Sequence, residues 1–392
     1  MALNPSGAIS LGGPSTGQSI ALELSLSPTA TISLNGTDVR TLAGVASGVI
    51  TMPTDFWGKS NTPPATELAI AHSSSPYVTA YSWSSAGFGT KFANPATLPT
   101  ASGNGVAFSP AGTELAIAHS SSPYVTAYPW SSSGFGTKFA NPATLPTNTG
   151  RGVAFSPAGT ELAIAHNSTP KVTAYPWSSS GFGTKFANPA TEPTGTGWGV
   201  AFSPAGTELA VGHSSSPRVT AYPWSSSGFG TKFANPATLP TGNGRGVAFS
   251  PAGTELAIGI SDPPCVTAYS WSSAGFGTKF ADPATEPEGT SGDSVAFSPA
   301  GTELAIGTDD PPYVTAYSWS SAGFGTKFAD PATEPTGSGR GVAFSPAGTE
   351  LAIGHSSSPY VTAYPWSSSG FGTKFANPAT LPNNTGNSVA FS

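Results

Sequence analysis

The stretch GVAFSPAGTELAIAHSSSPYVTAYPWSSSGFGTKFANPATLPTNTG, residues 105–150, decides the fold. It holds four strand-like pieces: VAFS, ELAIAH, YVTAYPW and GTKFA. These are β-branched or aromatic and alternate large with small residues. The separators are PAGT, HSSSP, SSSGFG and the NPATLPT connection with its trailing glycines. Clusters of Gly, Pro, Ser and Asn supply turn geometry. Helical patterning is absent.

This unit repeats along the chain. TELA recurs with its glutamate at positions 67, 114, 161, 208, 255, 303 and 350, a period of 47 with one step of 48. VTAY, GFGTKF and VAFS each occur seven times as well. Four short strands at a period of 40–50 residues describe one blade of a β-propeller. The expected fold is all-β: a seven-bladed propeller over residues 61–392. The first TELA has no VAFS before it, and the last VAFS has no TELA after it. The terminal segment, residues 388–392, is therefore expected to return as the innermost strand of blade 1 and close the ring.

VAFSPAGTELAIA resembles the first two strands of WD-repeat propellers, and the resemblance extends over residues 61–392. The Gly-His and Trp-Asp dipeptides of that family are missing: Trp83 and its six counterparts are followed by serine. The fold expectation rests on the period and not on those dipeptides.

Composition fits a turn-rich β protein. The chain has 48 glycines and 39 prolines, and 9% of its residues are charged, against about 25% in a typical soluble protein. The net charge of −6 argues against a nucleic-acid partner or an anionic membrane surface. The single cysteine, Cys265, rules out an intrachain disulfide framework. No run of 18 apolar residues occurs, so no membrane insertion is expected. MALNPSGAIS lacks the basic and apolar regions of a signal peptide.

Residues 1–60 stand outside the repeat. SIALELSLS alternates apolar residues at Ile20, Leu22, Leu24 and Leu26, a half-buried strand. ATISLN reads as a second strand and TDVRTLAG as a short helix ended by Gly44. About 60 residues bury too little apolar surface to be robust alone. This segment is expected to dock, oligomerise or join a larger assembly. ISLNGTDVRTLAGVASGVITMPTDFWGKS, residues 32–60, resembles an N-terminal module of tailed-bacteriophage structural proteins. The features that carry the likeness are ISLN, the run Val39–Gly44 and the closing Asp55–Ser60. The resemblance implies a virion protein of tail or capsid surface, assembled in the host cytoplasm. Residues 1–60 would contact other virion proteins, and the chain would form a homo-oligomer.

The seven units differ in two places. One is the turn between strands two and three, which places Tyr77, Tyr124, Lys171, Arg218, Tyr313 and Tyr360 at one repeat position. The other is the connection into the next blade. There the residue two before each VAFS is Asn104, Arg151, Trp198, Arg245, Asp293, Arg340 or Asn387. In a propeller both connections lie on one face. Loops on a rigid scaffold carry binding chemistry, and aromatic and arginine side chains anchor such surfaces. These thirteen residues form the expected recognition face. Host surface glycan is the expected ligand, stacked on Trp198 and the loop tyrosines. A purely structural capsid-decoration or cement role is the alternative.

Other candidates are weaker. The five histidines share one repeat position and should not converge on a metal. They read as turn residues bonded locally. The ring of lysines, Lys91 to Lys374, reads as charge protecting the outermost strand. No GxSxG, HExxH, P-loop or dinucleotide fingerprint appears, and the boxes of sialidase-type propellers are absent. On these grounds no cofactor, no metal and no enzyme activity are expected, with polysaccharide degradation a minor alternative.

Overall fold

A computed structural model describes residues 67–392. The module expected over residues 1–60, with its two strands and short helix, lies outside the described residues. The described chain is a ring of seven antiparallel four-stranded sheets. Blade 1 contains β1 (Glu67–His72), β2 (Val78–Ser84) and β3 (Gly87–Lys91). Blade 2 contains β4 (Gly103–Phe108), β5 (Glu114–His119), β6 (Val125–Ser131) and β7 (Gly134–Phe135), and five further blades repeat this plan.

The C-terminal strand, Gly386–Phe391, pairs with β1 and completes blade 1. Its register sets Leu68 opposite Phe391 and Ile70 opposite Val389. The last segment of the chain thus joins the first blade, as the count of seven VAFS segments requires.

Alternation along each strand gives every blade one large and one small face, because successive side chains point to opposite sides. In blade 1, Leu68, Ile70, Tyr81 and Trp83 point one way, and Ala69, Ala71 and Ala80 the other. All are buried. The small face of blade 1 packs against Val106, Leu115, Ile117, Tyr128 and Trp130 of blade 2. Large against small lets twisted sheets nest at a constant angle around the ring.

The tryptophan that ends the third-strand motif in each of the seven units holds a seam between blades. Trp130 meets Phe108 and Phe135 of its own blade and Phe92 of the blade before, all edge-on with centroids about 5 Å apart. Such pairs add roughly 0.5–1.5 kcal/mol beyond area burial. Trp83 makes the same contacts with Phe88, Phe375 and Phe391 across the closure. Tyr128 also donates its hydroxyl to the Thr97 carbonyl at 2.6 Å, tying blade 2 to the connection that precedes it.

The turn between strands one and two is built from SPAGT. The Ser109 hydroxyl oxygen accepts from the amides of Thr113 and Glu114. Gly112 has φ +67°, a region that favours glycine. The fourth strand differs from the expected GTKFA. It covers GFGTK in three blades and only GF in the other four. Four of the lysines, Lys138, Lys185, Lys232 and Lys374, therefore lie beyond the outer strand. Lys138 instead bonds Asn141 Oδ1 and the Phe139 carbonyl.

Candidate functional site at the channel mouth

The two variable connections do lie at one end of the ring. The Ser120 amide, in the turn of blade 2, donates to the Ser102 carbonyl in the incoming connection at 3.1 Å. The same bond recurs in all seven blades. The two sets of expected residues nevertheless do different things.

The first set converges. Asn104, Arg151, Trp198, Arg245, Asp293, Arg340 and Asn387 all line one cavity of about 350 Å³, formed by the innermost strands around the axis. Local chain geometry explains the convergence. The register between β4 and β5 shifts between Gly103 and Gly105, so Asn104 occupies a bulge. Arg151, Trp198, Asp293 and Arg340 occupy the equivalent bulges. A bulge leaves one residue out of the ladder and re-aims its side chain.

Close approach requires the first flanking glycine and favours the second. A Cβ on Gly103 would lie 2.4 Å from the Tyr77 carbonyl oxygen. One on Gly105 would lie 2.8 Å from the Arg151 carbonyl oxygen of the next blade. Where the second glycine is replaced, Ser294 and Ser388 use the space. Each hydroxyl oxygen accepts from a valine amide of the adjacent inner strand, Val342 and Val106.

The mouth is asymmetric although the blades are not. Arg151 and Arg245, from the blades on either side, lie over the Trp198 ring at 4.2 and 5.2 Å from its centroid. Arg151 Nε donates to Asn167 Oδ1 at 2.8 Å. Burial, with the charge of Arg245 added, holds the Arg151 guanidinium below its ordinary value, yet it stays protonated at neutral pH. Asp293 pairs with Arg245 at 3.0 Å and more distantly with Arg340 at 4.0 Å. On the remaining arc, Asn387 Nδ2 donates to the Gly103 carbonyl and Asn104 Nδ2 to the Gly150 carbonyl.

The second set does not join the cavity. Tyr77, Tyr124, Lys171, Arg218, Tyr313 and Tyr360 have φ between 64° and 74°, in the left-handed region. Their shared task is in the main chain: the Tyr77 carbonyl accepts from the His72 amide at 3.0 Å. Lys171 reaches the Asn167 carbonyl and Arg218 reaches Asn243. Stacking of one sugar by Trp198 together with the loop tyrosines is not what this geometry provides.

The remaining candidates are placed as follows. The histidines end the second strand and are wholly buried, not turn residues. His119 Nε2 shares a hydrogen bond of 2.9 Å with Thr126 Oγ1 across the hairpin. Cys265 takes the same turn position as Tyr77, with its thiol pushed up to about 12 by burial and nearby carboxylates. Among the described residues no group of three His, Cys, Asp or Glu could hold a metal, and no helix is long and apolar enough to cross a membrane.

Sequence reasoning missed Asn167, which anchors Arg151. Its signal was the AHNSTPK turn, where serine follows the histidine in most units.

No family model and no curated protein matches the sequence. Solved structures do match the ring. A candidate 6-phosphogluconolactonase from Bacteroides fragilis shares 13% identity with a TM-score of 0.68, over 85% of this chain and 99% of that one. Another from Bacteroides uniformis shares 16% with a TM-score of 0.65, over 84% and 99%. The β-propeller domain of Cps50 (Swd1) from Myceliophteria thermophila shares 12% with a TM-score of 0.53, over 71% and 88%.

At such identities the likeness is one of fold. The chain is a seven-bladed β-propeller. The expectation that it is not an enzyme is overturned. That expectation rested on motifs missing from the sequence, those of sialidase-type propellers among them, whereas structures that share this fold carry lactonase names.

Proposed function

We propose that the chain is a structural protein of a tailed-bacteriophage virion whose propeller presents the channel mouth as a binding site for host surface glycan. The observation that carries this reading is where the blades diverge. Units that are otherwise nearly identical differ at the bulge residue, and all seven of those residues meet in one cavity. The other place of variation, the turn between strands two and three, stays outside the cavity, so the reading rests on the bulge set alone. The likeness of residues 32–60 to phage structural modules supports a place on the virion, with residues 1–60 docking on other virion proteins as an oligomer.

The test is adsorption. Labelled protein is expected to bind cells of a susceptible host, and Trp198→Ala to reduce that binding about tenfold or more. Adsorption unchanged by the substitution overturns the channel-mouth reading. Cryo-EM of the particle separates the placements: a distal position on the tail supports receptor binding, and a position among capsomers supports a cement role instead.

A second reading is hydrolysis at the same mouth. It is favoured by the likeness to propellers named as lactonases and by an aspartate set between two arginines there. Turnover of a sugar lactone, or release of reducing sugar from host polysaccharide, would establish it.

A further inference from the structure

We infer that the channel mouth selects an oxyanion carried on a sugar ring, either the carboxylate of a uronic acid or the phosphate of a sugar phosphate. This deepens the glycan reading above and rests on it.

The charge balance of the mouth points first to an anion. Three guanidinium groups and one carboxylate line the cavity, a local charge of +2 in a chain whose net charge is −6. Like charges that converge by folding repel one another, and low-dielectric walls strengthen the effect. Six inner-strand valines lie among the cavity walls. The indole of Trp198 offsets part of that repulsion, since its ring face attracts cations. An anion in the cavity would offset the rest.

The pairing pattern shows where the anion would sit. Asp293 is committed to Arg245 at 3.0 Å, and its second contact, to Arg340, is long at 4.0 Å. The Arg340 side chain is 44% exposed. It lies across the ring from Trp198, in the blade that follows Asp293. Arg245 Nε is buried with no hydrogen-bond partner among the described residues. An oxyanion offers a guanidinium two acceptors in the geometry that its fork fits. Trp198 is already engaged by two guanidinium groups, so charge rather than stacking sets the preference.

Size and the polar arc point to a sugar. A cavity of about 350 Å³ is at the small end of ligand pockets, which span roughly 300–1,000 Å³. Asn104 and Asn387 hold a short polar arc beside Arg340, suited to hydroxyl groups.

The test is titration calorimetry on the full chain with glucuronate, glucose 6-phosphate, glucose and inorganic phosphate, at low and at high salt. Glucuronate or glucose 6-phosphate should bind at least about tenfold more tightly than glucose. The difference should shrink in salt. Arg340→Gln should remove most of it while the melting temperature stays put, because Arg340 is exposed and weakly paired.

Equal binding of glucose, or indifference to Arg340→Gln, overturns the inference. Inorganic phosphate binding as tightly as glucose 6-phosphate overturns the sugar part of it. If neither acidic sugar binds while the protein still adsorbs to host cells, the inference falls and the receptor reading stands. If acidic sugars bind and no cells are recognised, the inference stands and the receptor reading falls.

Discussion

The contact between His119 and Thr126 recurs in five blades, always at 2.9 Å between Nε2 and Oγ1. The two exceptions explain what it does. Where Ile260 and Thr308 replace the histidine, the facing hydroxyls of Thr267 and Thr315 are buried without a hydrogen-bond partner. An orphaned buried polar group costs about 1–3 kcal/mol. Thr315→Val should therefore raise stability by about 1 kcal/mol, read as a higher urea midpoint at unchanged slope. Thr126→Val should lower it by a similar amount, since His119 then loses its partner. The same histidines set an acid limit. Burial lowers each of them from 6.5 to about 4. Between those values the unfolded chain binds protons that the folded chain does not, so stability falls as pH drops from 6.5 to 4 and levels off below. A tenfold difference in proton affinity between the folded and unfolded chain is worth about 1.4 kcal/mol, and all five histidines contribute with the same sign. Melting temperature should decline across that window, and replacing His119 and Thr126 together by Ile and Val should make the decline shallower. A flat profile would remove the argument. The repeat position of the histidines was legible from the sequence. Their partner was not, because VTAY is the same in every unit and so carries no mark of what faces it.

Among the elements, the fourth strand shows how one residue decides pairing. Blades with a serine before the tryptophan, such as Ser82, have the five-residue outer strand Gly87–Lys91. Blades with proline there, such as Pro129, have only Gly134–Phe135. Proline has no N–H to donate to the ladder, so the regular outer strand ends at Phe135, although the Gly136 amide still bonds the Pro129 carbonyl at 2.8 Å. Serine restores the donor, and the Ser82 hydroxyl also donates to the Thr90 carbonyl at 3.4 Å. Pro129→Ser should extend the outer strand of blade 2 as far as Lys138. Slower amide hydrogen exchange at residues 137 and 138 would show it, and unchanged exchange would mean that another feature sets the length. The difference between YPW and YSW was visible in the sequence, yet GTKFA was expected as a strand everywhere. Turn chemistry and β-propensity mark where a strand can form, not whether its neighbour offers donors. The inner strands show the converse. Their VAFS segments were legible, but the preceding glycine–variable–glycine run reads as a loop and is instead a bulged extension of the strand.

For the molecule as a whole, the count of seven units established the ring, because every unit carries the same four strands and the same large-and-small faces. The period says nothing about distance from the axis. Two connections at one end varied alike in the sequence, but only the bulge brought one set onto the axis and left the other at the turns. What the period does imply is that ring closure depends on the C-terminal strand, and this can be tested directly. Val389 is buried, and Phe391 packs on Trp83 at 5.2 Å. Burial of Val389 should contribute roughly 1.5–3 kcal/mol, and the partly buried Phe391 adds to it. Without residues 388–392, β1 would present an unpaired edge and the seam between blades 7 and 1 would lose part of its core. The truncated chain should melt at a clearly lower temperature. A peptide of sequence GNSVAFS, supplied in excess, should then bind the vacant edge and restore the melting temperature as its concentration rises, since a ligand of the folded state stabilises by mass action. The same peptide should leave the intact chain unaffected, because its edge is already occupied. A truncated chain that melts normally would mean that six complete blades and a three-stranded seventh hold the ring unaided. A lower melting temperature that no concentration of peptide restores would mean that the strand acts through its covalent tether rather than its pairing.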